Sequence, residues 1–511
     1  MKHWQLILAF ILTALPAFPV RGYEVWLTDQ NNTLGYSSQN PRGTHGGRIV
    51  IWDGKDLDFP GTPIMDRPAI LDLGLIFAAG GPNNQTGAEV ARPHMLAVSQ
   101  DQKYMALAFV ASGHVAIIEA ATRRPKALFR MSAGAGGARQ AHSAQWTMDG
   151  TAILVANQNG KLFERIRYDK ATDTFTHDTA ATLNLATCRT PNGFPCETPT
   201  TINESDPNYF GLHNRPDNAP ICPLVTFNNK AIITLRGGGI LVADPTTTPM
   251  SIVAEYGNRF YGRDGCGGVQ VANRIFLNAG AGATTTNESG YNIYEIEDRF
   301  PSAPAFLPAN DLSVRPRHFA GHDALNRDAH GIVAGAGGYY LYSFDRLANV
   351  LEVHRTGDLE HVSSIPLESS FSSDPTPDLA NLSPTGDRIF IALRGPRPQT
   401  GAHASAGITP GLGILTLTEG GTWGSITALG RTTYRNPVDG GEESDPHTVN
   451  VRLKKLSGQT KPSPMPVPLF PPPALHPAPA KSVPSLARAP SPAPAPDTSP
   501  ATHNASSALL R

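Results

Sequence analysis

Apolar and polar positions along this chain follow a repeating grammar. Three stretches show it when stacked: "RPHMLAVSQDQKYMALAFVASGHVAIIEAATRRPKALF" from Arg92, "QAHSAQWTMDGTAILVANQNGKLFERIRYDKATDTFTH" from Gln140 and "TPDLANLSPTGDRIFIALRG" from Thr376. In each, a short apolar run leads into a tight polar turn and then into a second apolar run. The turns are Gln100-Asp101-Gln102, Met148-Asp149-Gly150 and Pro384-Thr385-Gly386. Their Asp and Gly residues suit the positive φ that hairpin turns require. The first two stretches continue into a third and a fourth run, so each predicts a four-stranded antiparallel unit.

Weaker copies begin at Ala219, Arg263 and Arg327, the last two sharing the openings "RDGCGG" and "RDAHG". That makes six units. A seventh is split between the ends of the chain, because "DPHTVNV" near the C-terminus aligns with "RPHMLAV" and has no partner strand after it. The N-terminal segments "YEVWLTDQNNTLG" and "GGRIVIWDGKDL" match the second and third strands of the other units. The expected fold is therefore all-β: a single seven-bladed β-propeller over residues 23–456, closed by N-terminal strands pairing with the C-terminal strand. Closure of this kind removes the sheet edges that invite aggregation. The competing expectation is a β-sandwich whose repeats are accidental.

The unit "PHMLAVSQDQKYMALAFVASGHVAIIEAAT" and the segment "TMDGTAILVANQNG" resemble the YVTN-type propeller repeat, in which a His, an apolar strand and a Ser-Pro-Asp-Gly-like turn precede a Tyr-Val-Ala-Asn-like strand. The third and fourth units depart from it by lacking the leading His. The resemblance implies the fold. It leaves the activity open, because that superfamily mixes exported binding proteins, cofactor-bearing oxidoreductases and lactonases.

Composition agrees with a turn-rich β protein: of 511 residues, 49 are Gly and 46 Pro, and only 17% are charged. A net charge of −1 gives no electrostatic reason to expect nucleic acid. Residues 1–22 pair a basic start with an apolar run too short to span a bilayer, which reads as a signal peptide on an exported, monomeric protein with no further membrane span. Residues 457–511 are rich in Pro, Ala and Ser and are expected to be a disordered tail. An exported chain with four cysteines suggests two disulfides, Cys188 with Cys196 across a small loop and Cys222 with Cys266 between neighbouring units. For the second pair the alternative is thiolate ligation.

Aligning the units puts His94, His142, His330, Asp378 and His447 in one column, with Cys266 in the same place in the fourth unit and Ile221, beside Cys222, in the third. First strands of propeller blades line the central channel, so this column predicts a ring. Imidazoles and a carboxylate around an axis suit copper, zinc or iron. The plainer alternative is a repeat histidine that bonds a neighbouring loop and holds the blades in register. Asp378 needs a cation or donor in either case, with Arg394 and Arg236 as candidate partners. "HFAGHDALNRDAH" adds His318 and His322, read as a loop over the channel mouth. Three functions follow: an exported binding protein with a protein or small-molecule ligand at a channel rim and a metal on the channel histidines, a metal-dependent oxidoreductase using the same residues, or a lactonase-like hydrolase with a channel carboxylate and His as acid–base pair.

Overall fold

The computed structural model describes residues 22–31, 46–58, 68–198, 213–258, 260–262, 265–280, 291–300, 327–398, 406–436 and 439–454, together with the backbone of 315–318. The expected signal peptide (apart from Gly22), the Pro-rich tail and His322 lie outside the described residues. The architecture is a seven-bladed β-propeller, each blade an antiparallel sheet of four strands in ladder order. One blade carries an additional short strand, Leu183–Asn184, beside its third. The innermost strands are Pro93–Val98, Ala141–Trp146, Pro220–Val225, Gly268–Val271, Ala329–Ala334, Pro377–Leu382 and Pro446–Leu453, and they define blades one to seven below. In blade seven, Pro446–Leu453 pairs with Tyr23–Asp29, which pairs in turn with Arg48–Asp53 and then Ala69–Asp72. Arg315–His318 is the outermost strand of blade four rather than part of a loop.

Second and third strands are apolar on both faces because each blade is sandwiched between two others. "YMALAF", "AILVAN" and "RIFIAL" are buried almost throughout. Alternate residues of one strand serve different neighbours: Val25 and Leu27 pack with Phe390 and Leu412 of blade six, while Trp26 between them packs with Met105 and Leu107 of blade one. Each such large side chain contributes about 1.5–3 kcal/mol on burial. A cluster of this type fills every blade-to-blade interface around the ring.

Turns between first and second strands in blades one, two and six share one device. A Ser or Thr hydroxyl accepts from the backbone N–H that opens the second strand, as Ser99 does from Tyr104, Thr147 from Ala152 and Ser383 from Arg388. A positive-φ residue then reverses the chain: Gly150 at 64° and Gly386 at 76°, with Gln102 at 62° in blade one.

A β-bulge recurs at the start of the inner strands, and it is what positions the site. In blade one, Pro93 pairs with Phe109 and Leu96 with Leu107, so His94 and Met95 together oppose the single residue Ala108. The same break brackets Ile221 and Cys222, His330 and Gly331, Asp378 and Leu379, and His447 and Thr448, while in blade two it brackets His142 alone. On the other side of the bulge backbone bonds continue the ladder, such as Val110 N to Arg92 O and Arg394 N to Thr376 O. Bulges re-aim side chains. Here they bring the second residue of successive inner strands to one level.

Candidate functional site

The column expected from the repeat is brought together as a belt of side chains. His94 Nε2 lies 3.3 Å from His142 Nε2, and His142 Nδ1 lies 3.7 Å from Cys222 Sγ. Cys222 is disulfide-bonded to Cys266. His330 Nε2 is 3.1 Å from Asp378 Oδ1, and His447 Nδ1 is 2.6 Å from Asp378 Oδ2. His447 then stacks on His94, with ring centroids 3.8 Å apart and planes 8° from parallel. All five predicted candidates are thus brought together. Cys188 and Cys196, also bonded to each other, sit away from it in a loop packed on blades two and three. Directly beneath the belt, Met95, Ile221 and Leu379 meet across the axis with Cys222 as an apolar floor.

Two fully buried arginines anchor the belt. Arg394 donates to Asp378 Oδ2 at 3.1 Å and forks onto both oxygens of Asp445, at 2.6 and 2.9 Å. Arg346 sits 3.5 Å from Asp378 Oδ1 and holds Asp328 at 2.7 Å. Burial opposes ionisation of Asp378, but His447, His330 and Arg394 outweigh it and keep the carboxyl well below its usual range. Of the two partners expected for Asp378, Arg394 is the one found; Arg236 pairs with the surface residue Asp217 at 2.6 Å. Arg346, Asp328 and Asp445 were missed in the sequence. A signal existed for Arg346, which follows the second strand of its blade as Arg394 does.

Burial also drives the imidazoles of His94, His142 and His330 towards the neutral form that a metal requires. His142 is pushed down to about 3 by burial first and by His447 second. His94 and His330 lie well below their ordinary value, again chiefly through burial. His142 also bonds the Ile221 backbone, and since its Nε2 faces His94, Nδ1 is the nitrogen on that side. His447 Nδ1 is taken by Asp378, so its Nε2 is the nitrogen left over; that atom is buried and has no hydrogen-bond partner, and neither has His94 Nδ1. An imidazole held by a carboxylate or carbonyl on one nitrogen, with the other bare, is the usual form of a metal-ligating histidine.

Geometry identifies the best donor pair. Two nitrogens on a tetrahedral ion with bonds of 2.0–2.1 Å are about 3.3 Å apart. His94 Nε2 and His142 Nε2 have that separation. Because His94 and His447 are parallel, an ion in the plane of the first ring lies outside the plane of the second. Ligation by all three therefore needs one ring to turn.

No protein-family model and no curated protein matches the chain. Solved structures resemble it at a distance. A protein from Lactobacillus plantarum is 13% identical with a TM-score of 0.47, covering 84% of this chain and 99% of its own. A periplasmic gluconolactonase from Pseudomonas aeruginosa is 12% identical with a TM-score of 0.47 and the same coverages. A β-propeller domain from Myceliophteria thermophila is 12% identical with a TM-score of 0.43, covering 69% of this chain and 88% of its own. None of these likenesses reaches the chemistry of the belt.

Proposed function

We propose that the protein is an exported binding protein that holds a transition-metal ion, copper or zinc, on the axial belt. The observation that carries this reading is the His94–His142 pair: two buried, neutral imidazoles whose Nε2 atoms stand at a ligand–ligand distance, with His447 Nε2 as a further bare donor. Two disulfides support an exported setting. No helix among the described residues is long and apolar enough to cross a membrane.

Burial places binding ahead of lactone hydrolysis at these residues. An acid–base pair must reach its substrate. Asp378 is completely buried and held by Arg394 and His447, and His447 is 1% exposed. An oxidoreductase would use the same ligands but needs an open coordination position beside a substrate pocket, whereas the floor below the belt is apolar packing.

Elemental analysis of the full chain, purified from its exported compartment, tests the reading. About one equivalent of copper or zinc is expected per chain, falling at least tenfold in His94→Ala and in His142→Ala with the β-sheet circular dichroism unchanged. Sub-stoichiometric metal, with no uptake on titration with either ion, would overturn it. Lactone hydrolysis abolished by Asp378→Asn would reverse the order of the two readings.

A further inference from the structure

We infer that the redox state of the Cys222–Cys266 disulfide decides which arc of the belt takes an ion: once reduced, the two thiolates and His142 Nδ1 form a site for a soft closed-shell ion, Zn²⁺ or Cu⁺. The oxidised half of this statement rests on the function proposed above; the thiolate site stands independently of it.

Three observations carry the inference. First, the ligand atoms of His142, Cys222 and Cys266 all lie within 4.8 Å of one another, with His142 Nδ1 3.7 Å from Cys222 Sγ. Two thiolates and an imidazole are a normal zinc or cuprous donor set.

Second, the backbones that carry the cysteines are tied together without the sulfur bridge. The Thr234 hydroxyl donates to Gly265 O at 2.7 Å and lies 3.2 Å from Cys222 O, and Cys222 N donates to that hydroxyl at 3.3 Å. On the other side of Cys266, Asn278 N donates to Gly267 O. A Cβ on Gly265 would stand 2.0 Å from Asn278 O, and one on Gly267 would stand 2.3 Å from His330 O, so the Gly265-Cys266-Gly267 segment is wedged in place. Reduction would leave two thiols facing each other on a held scaffold. To share a tetrahedral ion at Zn–S bonds of about 2.3 Å they need only separate to about 3.8 Å.

Third, His142 is common to both arrangements and can serve only one. A neutral imidazole has a single lone pair, on Nε2 or on Nδ1 according to its tautomer. With the disulfide intact, Nδ1 faces the Ile221 carbonyl and Nε2 is free to pair with His94 Nε2 on an ion. In the thiolate site Nδ1 ligates, so Nε2 carries the proton towards His94 and the first pair is dismantled. Met95, Ile221 and Leu379 around the sulfurs form an apolar wall that favours soft ligands over hydrated ones.

The chemistry balances. A dithiol reductant supplies two electrons and two protons to the Cys222–Cys266 bond and becomes a disulfide itself. Binding of the ion then releases the two thiol protons to solvent.

The test uses the full chain in a Cys188→Ser, Cys196→Ser background, so that one reducible disulfide remains. The protein is reduced, freed of reductant and titrated anaerobically with Cd²⁺ as a thiolate-reporting probe. One equivalent with a thiolate-to-cadmium charge-transfer band is expected, absent from the oxidised protein and from Cys222→Ser. His142→Ala should weaken the affinity at least tenfold. Binding without the band, or with equal affinity in Cys222→Ser, would overturn the inference. Should Cys222→Ser fail to fold, alkylation decides: one equivalent of Zn²⁺ must protect both thiols from iodoacetamide, and unprotected thiols refute the site. Metal uptake by the oxidised protein reads the His94–His142 pair alone, so failure of either reading shows separately.

Discussion

Two arcs of one belt solve the same problem by different chemistry. In blades five to seven, His330, Asp378 and His447 are polar, buried and held by ion pairs to Arg394 and Arg346. In blades three and four, the corresponding level is occupied by Cys222 and Cys266, joined by a covalent bond and packed on Ile221 and its apolar neighbours. Blades three, five, six and seven share the same bulge, whereas the inner strand of blade four pairs without one and starts after Cys266. The polar arc depends on partners from elsewhere in the chain, since an unpaired buried charge is costly. Asp445, Asp328 and the two arginines exist at this depth to satisfy it. The covalent arc needs no such network.

The largest expected effect comes from breaking the polar arc. Asp378→Ala leaves Arg394 and Arg346 without their shared carboxylate and His447 without its anchor, and should cost about 3–5 kcal/mol, read as a fall in the urea midpoint at unchanged slope. A loss below 1 kcal/mol would mean that Asp445 and Asp328 satisfy both arginines by themselves.

Breaking the covalent arc should cost less. Cys222→Ala with Cys266→Ala removes a bridge across a sequence separation of 44 residues. The expected destabilisation is about 2–4 kcal/mol, carried by the freer unfolded chain. Calorimetry of both variants beside the wild type ranks the arcs directly, and a larger loss for the cysteine pair would invert the comparison.

The smallest contrast between the two arcs is in acid dependence. Burial pushes His114 and His354, both outside the belt, down to about 4. Between that value and the ordinary 6.5 the unfolded chain binds protons that the folded one refuses, so stability falls as the pH falls through this window. Asp328 works in the opposite sense: burial raises its carboxyl to about 7, so the folded state holds its proton more readily than the unfolded one above the ordinary carboxylate range. His94, His142 and His330 of the belt are lowered by burial as well and add to the loss, so the imidazoles outweigh the one carboxyl and stability falls with the pH. Wild type and the cysteine-pair variant should lose stability in parallel between pH 6.5 and 4.5. A shallower slope in the variant would show that opening the covalent arc lets protons reach the belt.

Much of the site was legible in the chain because its logic is local. "RPHMLAV" and "DPHTVNV" share a Pro that starts an inner strand and a His directly after it, and "TPDLANL" places Asp378 at the same offset. The departures at Ile221 and Cys266 marked the covalent arc as different. His318 was misread as a loop residue because "PRHFAGHDA" lacks strand alternation, yet the backbone of Arg315–His318 completes blade four by pairing with Asn292–Glu297. The bulges themselves were not legible. No glycine or other marker is common to Pro93, Ala329 and Pro377, and the break is visible only when both strands of the ladder are present.

The sequence by itself determined the repeat, the turns and the membership of the column, since alternation and turn chemistry depend on residues close together in the chain. Tertiary structure alone decided that the column contracts into a belt. It set His94 against His142 at 3.3 Å, chose Arg394 over Arg236 as the partner of Asp378, and brought Met95, Ile221 and Leu379 together beneath them. Those outcomes are distances between residues far apart in the chain, fixed by how strands pair within a blade and how seven blades pack face to face around the axis.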